Sequence, residues 1–431
     1  MVAFFVQISD LLVLLVVFSL IVIAYLFLKN ITISILVGMV GMILFYGIPI
    51  EDFFLSFLPG RAFTLPMLFF FLVIIGVMAL SSLLKEAGLV DSVVRIVERR
   101  VRYPWSLAVF PAVVGLLPMP GGAIFSAPMV ARADRSERLS GAQRAVVNYW
   151  FRHLWEYWLP LYPGVLLAVE LSGMSTLSFM RNHAVFMVLA LVVGYVVYLR
   201  SVISAEGGQR SGEDDEARDG LRAPFLEIGI VLGVYVLGSV LFPGVRGGRY
   251  LWLALGVWSA IAVLLVRTGI PGGKVRGVFF GKRLWSLVLL VMLIRVYGFL
   301  FEFPADGGTL AERIAGSLSG AGIPPVVVLV FLPFIAGLVL GIAVGFVGVS
   351  FPVVMGLLSG MGVERVGPYV MLAYVAGYIG MMLSPLHVCF VVSSEYFESH
   401  LFRNMRLLAV PLFVIAAGAG GYFFVLKALG W

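Results

Sequence analysis

Charge is what this chain has least of. Charged residues fill 12% of its 431 positions, about half the share of an ordinary soluble domain. Too few polar side chains remain to coat a water-exposed globule, which excludes a soluble enzyme or a nucleic-acid-binding module with a basic face. Cysteine is scarcer still. Cys389 is the single one, so no intrachain disulfide can form, and its apolar run gives it no evident metal-ligand partners and no role. The motifs His-Glu-x-x-His, Gly-x-Ser-x-Gly, Cys-x-x-Cys and the Walker loop are missing; the sequence offers no enzyme pattern and no ATP-driven pump. The first ten residues carry no positive charge. The apolar run that follows, to Leu28, is too long for a signal peptide and is read as a retained first span.

Apolar residues are abundant instead: 61% of the chain, with mean hydropathy +1.07. This is the composition of an all-α polytopic membrane protein. The net charge of +7 sits in short loops between apolar runs and reads as an orientation signal. Crossing a hydrocarbon core takes about 20 helical residues. Runs of that kind cover 8–28, 31–50, 65–84 and 183–199, then 225–242, 250–266 and 284–301. Between the two sets lies a polar linker, 201–223, too short and too charged to form a core.

The chain is organised around one interruption. Leu117-Pro118-Met119-Pro120-Gly121-Gly122-Ala123 breaks an apolar stretch where lipid would penalise every unpaired backbone group. The apolar pieces on either side, 106–117 and 123–131, are each too short to span, so they predict a re-entrant hairpin with its tip at Pro118 to Ala123. The next apolar segment, 142–171, is broken at Pro160 and Pro163 and predicts a discontinuous helix. Similar features return after the linker. Gly345, Ser350 and Pro352 follow Gly121, Ser126 and Pro128 at an offset of 224, and Pro385-Leu386 follows Pro160-Leu161 at 225. A second hairpin is expected near 324–358 and a second broken helix near 367–396, within a second repeat over 224–431 that matches a first over 1–200.

Each repeat then holds about five spans, a hairpin and a broken helix. An odd number of spans inverts the second repeat in the bilayer. The charges agree with that count when both termini lie outside: Arg95, Arg99, Arg100, Arg102, Arg132, Arg144, Lys274, Lys282 and Arg283 fall on the cytoplasmic side of a plasma-membrane protein, as the positive-inside rule requires. Glu86 to Arg102 places valines at helical spacing opposite arginines, a pattern suited to a helix in the interface plane.

Inverted halves with broken helices create a midplane site at which half-helix N-termini present free N–H groups to an anion. Candidate substrate contacts are Pro120, Gly121, Gly122, Ala123 and Ser126 at the first tip, Gly345, Gly348 and Ser350 at the second, and Ser384 and His387 beside Pro385. Those glycines equally suit plain close packing of helices. Tyr149, Arg152, His153 and Glu156 fall on one helical face, where Arg152 could hold an anion and His153 or Glu156 a coupling proton. The alternative is an Arg152–Glu156 pair that satisfies itself, with Arg152 snorkelling to the cytoplasm. Arg295 lies deep in an apolar run, where either an internal carboxylate, with Glu302 the neighbour in sequence, or a ligand would be its partner. Trp150, Trp155, Tyr157 and Trp158 read as packing or interfacial anchors.

Pro118-Met119-Pro120-Gly121-Gly122-Ala123 with Phe125-Ser126-Ala127-Pro128 resembles the motif of a family of uncharacterised integral membrane proteins in the ion transporter superfamily, grouped with gluconate permeases, divalent-anion:sodium symporters and arsenite permeases. The resemblance implies a homodimer of elevator-type protomers, each a scaffold supporting a mobile domain of hairpins and broken helices, with 86–102 and 305–320 as connecting arms. The Ser-Asn-Thr signatures of the sodium-coupled dicarboxylate members are missing from both tips. The expectation is a secondary active transporter of a small organic anion, a carboxylate first, driven by protons or sodium, with no other cofactor and no nucleic-acid partner. An anion channel or uniporter, or a membrane enzyme or sensor using the Arg152, His153, Glu156 face, are the alternatives.

Overall fold

Apolar runs with few backbone-competing side chains fold here as helices almost throughout, because only helical hydrogen bonding satisfies a lone segment away from water. The computed structural model describes residues 2–89, 101, 103–118, 121–134, 137–203, 222–242, 244, 245, 248–305, 308–320, 322 and 324–430. Most of the interfacial segment 86–102 and of the linker 201–223 thus lies outside the described residues, as do Met119 and Pro120 of the first tip. The one strand pair among the described residues joins Pro304–Ala305 to Gly308–Thr309, antiparallel, with Pro304 opposite Thr309.

Among the described residues six helices are long and apolar enough to cross a membrane: Leu65–Glu86, Thr176–Leu199, Tyr250–Thr268, Gly272–Phe301, Ala343–Gly360 and Leu401–Ala428. The fold is that of a multi-pass membrane protein. Its outer surface is correspondingly inverted relative to a soluble domain, with Phe27, Val266, Phe413 and Phe424 standing exposed on long helices, as a lipid solvent allows. Helix ends are set by ordinary capping chemistry. Asn30 accepts the N–H groups of Thr32 and Ile33 at 3.0 and 3.2 Å, and Gly47 closes the same helix in the left-handed region at φ 63°.

Two shorter helices meet at the Pro-Gly-Gly interruption, Trp105–Gly115 and Ala123–Ala133, and they pack on each other. A broken helix follows: Gly141–Arg152, one 3-10 turn over Leu154–Tyr157, then Pro163–Ser172. In the second half Pro325–Leu340 turns at Gly341 into Ala343–Gly360, and Gly367–Met382 breaks before Val388–Tyr396. The halves exchange partners. Pro163–Ser172 packs on Ala343–Gly360, while Val388–Tyr396 packs on Gly141–Arg152 and Ala123–Ala133.

Around this crossed centre lie the uninterrupted helices. Val2–Leu28 pairs with Ile31–Tyr46, and Leu65–Glu86 packs on Gly248–Thr268. Within 305–320, the arm that the resemblance implies, Leu310–Gly320 is a helix packed between Val2–Leu28 and Ala343–Gly360, with Leu310, Ile314 and Leu318 all buried. One buried ionic clamp fixes it. The Asp10 carboxylate accepts from Arg313 Nη2 at 2.8 Å and Nε at 3.1 Å and from Ser317 Oγ at 2.9 Å. Arg313→Met should therefore leave a buried carboxylate with one donor and lower the unfolding free energy in detergent by about 1–3 kcal/mol. Thermal melts should show the loss, with part of it recovered in Arg313→Met combined with Asp10→Asn.

Candidate functional site

The two chain breaks meet. Gly141–Arg152 begins with a capping box, in which Ser140 Oγ accepts the Gln143 N–H at 3.4 Å and Gln143 Oε1 accepts the Ser140 N–H at 2.9 Å. The helix ends at Arg152, with His153 as the capping residue. The sequence placed Tyr149, Arg152, His153 and Glu156 on one continuous helical face. The structure interrupts that face, because Glu156 sits in the 3-10 turn beyond the break. Arg152 does not snorkel: it is 2% exposed, and it lies against the first hairpin tip.

Two glycines make that approach possible. A Cβ on Gly122 would strike the Arg152 guanidinium, and one on Gly115 would strike the Arg152 backbone carbonyl. Gly121 adopts the left-handed region at φ 72° and turns the tip toward Val388, 3.8 Å from where its own Cβ would be. The tip is thus closed on both half-helices at once. Ala123 and Ser126 are fully buried just behind it, and Ser126 Oγ donates within its own helix to the Ala123 carbonyl at 3.4 Å.

From the second half come His387, Ser384 and Gly341. Gly341 takes φ 63°, and a Cβ there would meet the His387 amide nitrogen and Ser384 Oγ, each at 2.9 Å. Ser384 Oγ accepts the Leu386 N–H at 3.2 Å and so shapes the break itself. The second turn therefore lies at Gly341 and Ile342, ahead of the Gly345 to Ser350 stretch that the repeat pattern nominated. Gly345, Gly348 and Ser350 belong to regular helix. Gly348 makes room for Ile294, Gly345 for Leu340 and Ile342, and Ser350 Oγ donates to the Phe346 carbonyl at 2.6 Å. These three serve packing, the role of small residues in membrane helices generally.

Four helix N-termini converge as a result: Ala123–Ala133 and Val388–Tyr396 at the first tip, Ala343–Gly360 beside His387, and Pro163–Ser172, whose Gly164 abuts Ala343. Between them stand two imidazoles. His153 and His387 bring their Nε2 atoms to 3.0 Å, and His153 Nδ1 lies 2.6 Å from the Tyr149 carbonyl. Glu156 Oε1 is 3.8 Å from His153 Nε2. Cys389, which carries no role in the sequence analysis, is buried in the same cluster. Its histidine neighbours were legible only in part, since His387 is two residues away but His153 comes from the other half of the chain.

Breaks at this depth free backbone carbonyls, and tyrosines satisfy them. Tyr378 donates to His153 O and Tyr374 to Glu156 O, each at 2.7 Å. Tyr149 donates to Met382 O at 3.3 Å and Tyr162 to Gly115 O. Asn148 ties Ser393 at 2.9 Å and the Ala123 carbonyl at 3.3 Å. Sequence reasoning missed Tyr374, Tyr378 and Asn148, because nothing local marks an aromatic hydroxyl that serves a carbonyl more than 200 residues away. Trp150 and Trp155 act as packing donors, to Ala190 O at 2.9 Å and Ala112 O at 2.7 Å. Arg295 pairs not with Glu302 but with Glu170 at 3.3 Å, whose other oxygen accepts from Tyr250 at 2.5 Å. Glu302 binds Arg61 at 2.8 Å.

A family model described as a protein of unknown function, DUF401, matches residues 10–424. No curated protein matches the chain. Among solved structures, the Alcanivorax borkumensis YdaH transporter, described as having an unusual topology, is similar with a TM-score of 0.58 over 84% of this chain and 85% of that one, at 14% identity. That likeness is one of fold.

The two glycines that face Arg152 should respond differently to alanine. At Gly115 the new Cβ meets backbone that cannot retreat, so thermal melts should register a loss of about 1–3 kcal/mol or more. At Gly122 it meets the end of a flexible side chain, so the melting point of the ligand-free protein should change little.

Proposed function

The chain belongs to the DUF401 family, and from its fold and the geometry of its breaks we propose that it is a secondary active transporter of a small organic anion, a carboxylate before others. The observation that carries the proposal is the convergence of four helix N-termini on the two breaks, one of them, at Gly122, directly against the Arg152 guanidinium. Each terminus presents unsatisfied N–H groups and a positive dipole end, and a guanidinium adds a fork of donors matched to a carboxylate. An anion is the ligand such a site attracts.

Gly121, Gly122 and Ala123 at the first turn, Gly341 and Ser384 at the second, and Arg152 with His387 between them form the substrate site of this reading. Pro120 belongs to the same tip by sequence. Ser126, Gly345, Gly348 and Ser350 act one layer out, by packing the helices that hold the tips. His153 and Glu156 are the candidates for a coupling proton, with sodium as the other possible driving ion.

The crossed packing supports an elevator. Each hairpin holds a half-helix of the other repeat, so hairpins and broken helices form one body that can move as a unit. Its border with Leu65–Glu86 suits sliding: Val77, Leu80 and Leu84 face Leu116, Leu117, Pro118 and Leu161 across a cleft whose one polar lining residue is Ser81. Apolar surfaces without interlocking hydrogen bonds permit shear at low cost. In this reading the two repeats are inverted, the protomers pair as a homodimer in the plasma membrane, and both termini lie outside.

Purified protein in liposomes tests the proposal with a panel of mono- and dicarboxylates under an imposed proton or sodium gradient. Accumulation of one anion under one gradient is expected. Flux that ignores both gradients would make the protein a channel or uniporter, and no flux for any anion would sink the transport reading. Arg152→Lys keeps the charge but loses the fork, and it should weaken the anion-induced rise in melting point by about tenfold in ligand concentration, the equivalent of one charged hydrogen bond.

A further inference from the structure

Cys389 is the chain's only cysteine, and it does not stand alone. One ligand atom from each of His153, His387 and Cys389 falls within 4.8 Å of the others, and all three residues are buried. His153 Nε2 and His387 Nε2 are 3.0 Å apart. A tetrahedral zinc-class ion bound at about 2.0–2.1 Å to nitrogen and about 2.3 Å to sulfur holds its ligand atoms about 3.3–3.7 Å apart. Side-chain shifts of roughly an ångström bring this trio to that spacing.

The surrounding bonds favour the same reading. His153 Nδ1 lies 2.6 Å from the Tyr149 carbonyl, so the proton is held on Nδ1 and the Nε2 lone pair faces the cluster. Metal-ligating histidines are typically oriented in this way, with the outer nitrogen donating to a carbonyl. His387 is 6% exposed, and its Nδ1 has no hydrogen-bond partner. Cys389 interacts with both imidazoles and with Arg152, and an ion at the centre would engage the two imidazoles and the thiol at once.

We propose that His153, His387 and Cys389 form a binding site for one thiophilic transition-metal ion of the zinc class. Three protein ligands leave a fourth position, and Glu156, with Oε1 3.8 Å from His153 Nε2, is placed to fill it or to hold a water there. Binding releases the Cys389 proton to solvent, since the thiolate is the ligand. Arg152, which also interacts with Cys389, would give up that sulfur to the ion. The ligands come from both chain breaks, so the ion would fasten one half-helix to the other. This inference rests on the cluster's geometry and not on the transport reading, and its test reads no flux.

Tag-free full-length protein in detergent, stripped with chelator, is titrated with Co2+ and followed by absorption. The expected result is one Co2+ per chain with a thiolate-to-cobalt charge-transfer band in the near ultraviolet, displaced by Zn2+. Only Cys389 can supply that band. Cys389→Ser should abolish it, and His387→Gln should weaken Co2+ binding by at least tenfold. A wild-type titration without the band overturns the proposal even if both variants fail to fold. So does wild-type affinity for Co2+ in the folded His387→Gln protein.

Discussion

Every helix broken inside an apolar interior leaves carbonyl and amide groups that water cannot reach, and the rest of this structure depends on how those groups are satisfied. An unpaired backbone polar group in such surroundings costs several kcal/mol. This chain answers with side chains from distant segments. Tyr374 and Tyr378 serve the first break, Tyr149 the second, and Tyr162 the end of the first hairpin arm. Because each donor belongs to a different element from its acceptor, satisfying the breaks also fixes how the elements lie against one another.

The same requirement concentrates chemistry. A helix that stops in mid-protein exposes its N–H ends and dipole where no solvent dilutes them. Charged and titratable groups that would be expelled from a continuous apolar helix find partners there. Arg152, His153, Glu156, His387 and Cys389 all stand within a few residues of a break. Other charged groups are matched in pairs, as with Arg295 and Glu170 in the interior or the part-exposed Arg313 and buried Asp10. Pairing of that kind is structural, whereas the break cluster brings more titratable groups together than mutual neutralisation needs.

What could be read from the sequence followed the range of each signal. Proline and glycine act on their own backbone, so the interruptions at Pro118 to Gly122, at Pro160 and at Pro385 could be located to within a few residues. Hydrophobic length marked most spanning helices for the same reason. The position of the second turn was harder, because Gly341, Gly345 and Gly348 look alike in sequence. Only φ 63° at Gly341, against helical backbone at the other two, separates a turn from a packing notch. The partner of Arg295 was out of reach, since Glu170 lies in the other half and Glu302 was merely adjacent. Cys389 failed similarly: a thiol gains meaning from His153, and no spacing rule links residues 236 positions apart.

The exchanged half-helices also bear on how the chain can be made. Gly141–Arg152 and the first hairpin are completed by Val388–Tyr396, which leaves the ribosome some 240 residues later. At synthesis rates of roughly 5–20 residues per second, the first half must wait on the order of tens of seconds in the membrane with its tip uncovered and its breaks part-satisfied. The crossed centre is therefore the last part of the molecule to close. Neither half alone supplies all the contacts of its own break, and Arg152 lacks its Cys389 neighbour until the far end of the chain arrives.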